Sequence, residues 1–304
     1  MYGHCKVKPD AGTTEKTFLK RPSPSSMTEK PEITLLLVCF KRIKATAQGL
    51  LRKVVTPPRV ASPRSWTERM TKIGLFACFG IVIIHPFDAD VVRALSRSPD
   101  PPIVLLRAIT DVGLSTGYLI TAFIVMMVAS LVDWRALKPN HRALFALCYS
   151  QAVFAFTAIA ATGLLADLAK ILVGRARPKF LDLYGPYYFR PLHVGYDFAS
   201  FPSGHSTTLG AIAAILCLWV PRARFAITGL ALVFAVSRSA ADSHYPSDVL
   251  AGFVFGFLLT ILLARLLARR GAGFRFSGNA LMPALRFKRS SSRHRGPARS
   301  RFSS

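Results

Sequence analysis

Apolar runs occupy the middle of the chain, whereas Lys and Arg crowd its two ends. Of the 304 residues 51% are hydrophobic, yet the formal net charge is +25. From Ala264 to Ser304 there are eleven Lys or Arg and no Asp or Glu. Basic ends around an apolar centre are typical of a polytopic membrane protein whose termini lie in the cytoplasm. A nucleic-acid-binding protein is the alternative, but the tails show no zinc-finger or recognition-helix spacing.

A helix needs about 20 apolar residues to cross a bilayer. The sequence predicts an all-α membrane bundle of about six such helices, near residues 73–87, 116–134, 143–173, 206–220, 225–241 and 249–267. Between the first two, residues 88–111 contain three prolines and are expected to form a short interfacial helix and a loop. Gly252 and Gly256 form a GxxxG pattern in the sixth span, which predicts close packing within the bundle.

The predicted membrane domain covers residues 71–268 and leaves a basic segment on each side. Residues 1–70 are rich in Pro and Ser and read as a mostly disordered cytoplasmic arm, with an amphipathic helix predicted over about 33–55. Met27 and Met70 leave alternative starts open. Residues 269–304 are predicted to be a disordered cytoplasmic tail. The five cysteines are scattered, so neither a disulfide framework nor a zinc site is indicated.

Loop charges predict how the spans are oriented. The loops after the second and fourth spans are basic, with Arg135, Lys138, Arg142, Arg222 and Arg224. By the positive-inside rule these loops lie on the cytoplasmic side with the tails, so residues 88–111 and 175–203 face outward. The second outward loop nevertheless contains four basic residues, which are Arg175, Arg177, Lys179 and Arg190. This exception indicates a site that uses cations.

Lys170 and Arg177 form the first cluster of chemically active residues, at the outer end of the third span. They are seven residues apart, so they lie on nearly the same face of a helix, and Pro178 marks its end. Charged side chains in a membrane span are costly and usually functional. The alternative is that both extend toward lipid headgroups.

A second cluster, from Pro202 to Ser206, comes directly before the fourth span. Ser203 and Gly204 suit a helix N-terminus, where free backbone N–H groups and the helix dipole attract phosphate. His205 would lie in the first turn. A capping loop without a ligand is the alternative.

The third cluster comprises Ser237, Arg238, His244 and Asp248. His244 and Asp248 are four residues apart and can share a helical face. A carboxylate held against one imidazole nitrogen would leave the other as a nucleophile. An exposed ion pair is the alternative at this spacing.

Together, Lys-x6-Arg-Pro, Pro-Ser-Gly-His and Ser-Arg-x5-His-x3-Asp resemble the type-2 phosphatidic acid phosphatase (PAP2) superfamily over about residues 72–268. The resemblance implies a membrane phosphatase in which His244 is the nucleophile that forms a phosphohistidine and Asp248 is its orienting partner. His205 would be the acid and then the base. The implied phosphate-binding residues are Lys170, Arg177, Arg238, Ser203 and Gly204.

No metal or cofactor is expected, because Asp248 is the one acidic residue in the three motifs and the cations can neutralise phosphate charge. The predicted reaction is hydrolysis of a phosphomonoester or diphosphate of a membrane lipid. Four lipids stay open as substrates: phosphatidylglycerol phosphate, phosphatidic acid, undecaprenyl diphosphate and lipid A. Transfer of the phosphate to another lipid, and a non-catalytic protein of the same fold, are alternatives.

The expected partners are therefore the lipid substrate and the membrane, without nucleic acid, and the sequence does not indicate an oligomeric state. The Ala- and Arg-rich composition and the short loops favour a bacterial inner membrane, with the site facing the periplasm.

Overall fold

The computed structural model describes residues 31–55, 57, 63–133, 136–277 and 280–286. The chain divides into two compact units, Met1–Cys39 and Phe40–Ser304. In the first unit only the beginning of helix α1 is described, and the second unit contains everything discussed below. The disorder predicted for residues 1–30 and 287–304 lies outside the described residues.

The described residues are almost entirely helical, which confirms the all-α prediction. The α-helices are α1 Pro31–Val55, α2 Glu68–Ile84, α3 Asp88–Arg97, α4 Pro101–Ala108, α5 Ser115–Leu131, α6 Pro139–Val173, α7 Leu181–Tyr184, α8 Gly204–Trp219, α9 Arg224–Ala240 and α10 Pro246–Arg269. Short 3-10 turns lie at His85–Phe87, Thr110–Gly113, Pro178–Phe180 and Pro221–Ala223. Two short strands, β1 Phe274–Arg275 and β2 Ala284–Leu285, pair in antiparallel fashion.

Four helical segments in the described part of the chain are long and apolar enough to cross a membrane. They are Glu68–Arg97, Pro139–Val173, Pro221–Ala240 and Pro246–Arg269. A fifth is obtained if the bent pair Pro101–Gly113 and Ser115–Leu131 is one span. Each of the six predicted spans is a helix, but α8 has only 16 residues. Its length of about 24 Å is less than the roughly 30 Å of a bilayer core.

Helices α8 and α10 form the most extensive helix pair and carry the centre of the bundle. An added Cβ at Gly252 would overlap the carbonyl oxygen of Ser203, and one at Gly256 would overlap that of Thr207. The close packing predicted from the GxxxG pattern is therefore present. It brings the N-terminus of α10 against the N-terminus of α8, where the Ser203 N–H donates to the Asp248 carbonyl oxygen at 3.0 Å.

Ordered packing continues on both sides of the predicted membrane domain, 71–268. Met70, directly before it, is fully buried in the main core with α8 and α10. At the other side, residues 271–277 and 280–286 pack against the bundle through contacts of β1 with α10 and of β2 with α8. Phe274 in β1 is fully buried, and Arg265 donates hydrogen bonds of 2.8 to 2.9 Å to carbonyl oxygens of residues 64, 65, 280 and 281. The helix predicted over residues 33–55 is present as α1.

Candidate active site

His244 lies in the loop between α9 and α10, and its side chain is 2% exposed. Its Nδ1 is 2.7 Å from the carbonyl oxygen of Ser200. Because a carbonyl oxygen can only accept, Nδ1 carries the hydrogen and Nε2 keeps its lone pair. This tautomer leaves Nε2 as a nucleophile.

Asp248 does not make the direct hydrogen bond to His244 that the spacing suggested. The distance between His244 Nδ1 and Asp248 Oδ2 is 4.0 Å, which is too long for a hydrogen bond. Instead, the Asp248 carboxylate accepts from the Ser200 hydroxyl at 2.6 Å and the Tyr245 N–H at 3.1 Å. Asp248 thus contacts Ser200, and the backbone of Ser200 contacts the imidazole.

Burial lowers the pKa of His244 well below its ordinary value, and the positive charges of Arg177, Arg238 and Lys170 lower it further. The hydrogen bond to Ser200 acts in the opposite direction but is the smaller effect. The ring is therefore neutral at pH 7, as a nitrogen nucleophile must be.

Two of the three predicted phosphate-binding cations are buried beside His244. The Arg177 Nη1 donates to the Ser243 carbonyl oxygen at 3.2 Å, and its guanidinium lies 3.8 Å from the Tyr196 ring centroid. The Arg238 Nη1 donates to the Thr110 hydroxyl at 2.9 Å. The Nε of Arg238 is buried without a hydrogen-bond partner among the described residues.

The third cation, Lys170, meets the N-terminus of α8. A Cβ added to Gly204 would lie 2.8 Å from the Lys170 Nζ, so this ammonium group rests against the first residue of the helix. The Nζ also binds the carboxylate of Asp167 at 2.7 Å. At this point an ammonium group and the N-terminus of a helix meet, and both attract an anion.

Ser203 and His205 complete the N-terminus of α8. Ser203 caps the helix, because its Oγ accepts from the Ser206 N–H at 3.4 Å and from the Ser206 hydroxyl at 3.0 Å. The Nε2 of His205 is buried and has no hydrogen-bond partner in the described part of the structure. Gly113 packs against this ring, since a Cβ there would lie 2.9 Å from the His205 Cβ.

Four residues of the site lie outside the predicted set: Asp88, Thr110, Arg175 and Ser200. Arg175 is 1% exposed and bridges two buried carboxylates, with 2.8 Å to Asp88 and 2.6 Å to Asp248. The sequence marked Arg175 only as one of four unexplained cations in an outward loop. Asp88, Thr110 and Ser200 carry no motif, and long-range packing alone brings them to the site.

The other two unexplained cations have partners nearby. Lys179 pairs with Asp197 at 3.1 Å, and the Arg190 guanidinium lies 5.7 Å from the Phe198 ring centroid. Among the described residues, no group of three or more His, Cys, Asp and Glu side chains is arranged to hold a metal ion.

Comparison with known proteins decides the family. Residues 151–272 match the family model of the PAP2 superfamily. A lipid A 1-phosphatase of Rhizobium johnstonii is 35% identical over 204 residues, which are 67% of this chain and 83% of that protein. The chain belongs to the PAP2 superfamily.

Other PAP2 proteins are similar as well. A lipid A 1-phosphatase of Rhizobium etli is 36% identical over 192 residues, 63% of this chain and 82% of that protein. A transmembrane PAP2-type phosphatidylglycerolphosphate phosphatase from Bacillus subtilis, known from its crystal structure, is 22% identical with a TM-score of 0.46, covering 65% of this chain and 94% of that one. The chain is a membrane lipid phosphatase of the PAP2 type, which hydrolyses phosphoric esters.

Proposed function

We propose that this enzyme removes the 1-phosphate of a lipid A-type glycolipid through a phosphohistidine at His244, on the periplasmic side of a bacterial inner membrane. The observation that carries the chemistry is the neutral imidazole of His244, whose Nδ1–H is held by Ser200 beside the cations Arg177 and Arg238. An imidazole with a free Nε2 next to fixed positive charges is suited to attack on phosphorus.

Binding of the phosphate is assigned to groups at the ends of α6, α8 and α9 and in the loop after α6. The guanidinium groups of Arg177 and Arg238 and the ammonium group of Lys170 neutralise charge on its oxygens. The hydroxyl of Ser203 and the backbone N–H of Gly204 donate to it at the N-terminus of α8. The unpartnered Arg238 Nε supports this role, because a buried donor without an acceptor is costly.

The proposed reaction has two steps. In the first, the Nε2 of His244 forms a bond to phosphorus while the bond from phosphorus to the lipid oxygen breaks, and His205 donates a proton to that oxygen. In the second, His205 accepts a proton from water, whose oxygen attacks phosphorus and releases His244 with inorganic phosphate. The unpartnered, buried Nε2 of His205 supports its assignment to the proton transfers.

The substrate is assigned from the relatives. Two lipid A 1-phosphatases are 35% and 36% identical and are covered over 83% and 82% of their lengths. Phosphatidylglycerol phosphate, phosphatidic acid and undecaprenyl diphosphate have the same phosphate chemistry at the site and are the competing substrates.

The test is phosphate release by the purified full-length protein in detergent micelles from each of these four lipids. We expect release from lipid A, with a product that keeps the 4′-phosphate and lacks the 1-phosphate by mass spectrometry. His244→Ala should abolish release. His141→Ala is the matched control, since His141 is exposed near the opposite end of the 35-residue helix α6 and should retain full activity.

Three outcomes count against the proposal. Release from another lipid but not from lipid A overturns the substrate. Release that persists in His244→Ala overturns the nucleophile. Phosphate that appears on a second lipid rather than in solution identifies a phosphotransferase.

A further inference from the structure

A buried ion network lies behind the nucleophile and begins outside the region that matches the family model. Asp88, the first residue of α3, is fully buried. Its carboxylate accepts from the Arg175 Nη2 at 2.8 Å, from the Ser247 N–H at 3.0 Å and from the Ser247 hydroxyl. Asp88 also lies 3.1 Å from the Nδ1 of His85. The first residues of α3 are thereby fixed to the first turn of α10.

Arg175 connects this aspartate to the site. One side of its guanidinium binds Asp88, while Nη1 donates to Asp248 at 2.6 Å and to the Ser247 hydroxyl at 2.8 Å. The Cζ of Arg175 lies 4.1 Å from the centroid of the Tyr245 ring. Burial by itself lowers the pKa of Arg175, but the Asp248 and Asp88 carboxylates outweigh it and raise the pKa. Arg175 is thus a permanent cation bound between two carboxyl groups.

From Asp248 the contacts continue to His244 through Ser200. The second carboxylate oxygen of Asp248 accepts from the Ser200 hydroxyl at 2.6 Å, and the Ser200 carbonyl oxygen accepts from the imidazole at 2.7 Å. Asp248 itself is 4.0 Å from the ring. The direction of the Nε2 lone pair therefore depends on where Ser200 and Asp248 are held. Arg175 binds Asp248, and Asp88 in turn binds Arg175.

We infer that Asp88 and Arg175 are positioning residues for the nucleophile, acting on His244 through Asp248 and Ser200; this rests on the proposed function. Neither residue is among the groups to which phosphate binding is assigned. A guanidinium is suited to this position because its planar fork binds two carboxylates in fixed directions, which an ammonium group does not. Fixed support behind a reacting group matters because small displacements of the nucleophile slow the reaction strongly.

The experiment uses the variants Asp88→Asn, Ser247→Ala and Arg175→Lys. For each we would measure kcat, KM and the inhibition constants of vanadate and of inorganic phosphate. Vanadate mimics the five-coordinate phosphorus and needs the His244 Nε2 in place, whereas inorganic phosphate needs only the cations. For Asp88→Asn we expect about a tenfold fall in kcat with KM changed less than about threefold. The vanadate inhibition constant should rise by a similar factor, and the phosphate inhibition constant should stay unchanged. Ser247→Ala, which keeps every charge, should show the same pattern with about a threefold effect.

Coupling to Asp248 is tested by the double variant. If Asp88 acts through Asp248, Asp88→Asn added to Asp248→Asn lowers kcat no further than Asp248→Asn alone. Asp182→Asn is the matched control, since this aspartate pairs with Arg93 at the surface, at 3.5 Å, and its loss should change none of these values.

Unchanged kcat in Asp88→Asn, or a fall in kcat without a change in vanadate inhibition, overturns the inference. If Asp88→Asn does not fold, Arg175→Lys and Ser247→Ala decide by the same criteria. His244→Ala is measured beside them. If wild type releases phosphate and His244→Ala releases none, the proposed function stands, whatever the Asp88 variants show.

Discussion

At the scale of single residues, burial and charge act on His244 in the same direction. Both disfavour a second proton on its ring, and the ring is held by a backbone carbonyl rather than by a carboxylate. A carboxylate in direct contact would favour the charged imidazolium. The arrangement with Ser200 fixes the tautomer and keeps the nucleophile neutral, while the cations remain close enough to attract a phosphate.

The lowered pKa of His244 makes the folded protein less stable at acid pH. An unfolded chain binds a proton at His244 near the ordinary pKa of about 6.5, whereas the folded protein does so only well below it. Between these two pKa values, the unfolded state therefore binds more protons than the folded state. The stability from this group is complete above about pH 6.5 and is lost as the pH falls below it, by about 1.4 kcal/mol per pH unit.

We therefore predict that wild type loses stability more steeply than His244→Asn between about pH 6.5 and 5. Asparagine can still donate to the Ser200 carbonyl oxygen but does not titrate. Thermal unfolding in detergent micelles at several pH values measures both slopes. Equal slopes for the two proteins would show that His244 binds its proton equally well in the folded and unfolded states.

At the scale of elements, the site is built on two helix N-termini, those of α8 and α10. Ser203, Gly204 and His205 come from the first, and Asp248 comes from the second. Their relative position is set by glycines along the contact, because the α10 backbone approaches that of α8 at Gly252 and Gly256 without a side chain between them. Packing in the apolar middle of the bundle thereby fixes the geometry at its end.

We predict that Gly256→Ala lowers both stability and activity, although Gly256 lies two turns away from Asp248. The new methyl group would overlap the Thr207 carbonyl oxygen, which belongs to helix backbone and cannot rotate away. A cost of about 1–3 kcal/mol is expected from such overpacking. Thermal unfolding and kcat measure the two effects. Gly229→Ala in α9 is the control, because nothing lies within 4 Å of the added carbon, and it should leave stability and kcat unchanged. If Gly256→Ala also leaves both unchanged, α8 and α10 are not held this closely.

The sequence predicted those parts of the fold and site that depend on neighbouring residues. Apolar runs predicted the helices, and the resemblance carried by the three motifs implied that Lys170, Arg177, His205 and His244 form one site. The contacts of Asp88 were not predictable, because Ser247 is 159 residues further along the chain. The same holds for Ser200, which carries no motif and contacts His244 through its carbonyl oxygen and Asp248 through its hydroxyl. Helix α8 was predicted at nearly its observed length but counted as a full span, although its 16 residues are too few to cross a bilayer core.

At the scale of the whole molecule, the site residues and the basic loops lie at opposite ends of the helices. Lys170 is in the last turn of α6, and His205 is in the first turn of α8. Lys138 precedes α6, Arg222 lies between α8 and α9, and Arg224 is the first residue of α9. The charges at the site end have their own partners or roles, since Arg175 is bound by two carboxylates and Lys179 by Asp197. The loop charges that remain to set the orientation are therefore those at the opposite end.

The orientation that follows is testable in the membrane of a bacterial cell. A green fluorescent protein fused after Ser304 should fluoresce, because that protein folds in the cytoplasm. An alkaline phosphatase inserted after Val194, which is 79% exposed in the loop between α7 and α8, should be active, because it needs the periplasm to form its disulfides. Alkaline phosphatase inserted between Arg222 and Arg224 is the matched control and should be inactive. The reverse pattern would place the phosphate site in the cytoplasm, and the lipid would then have to present its phosphate at the inner face of the membrane.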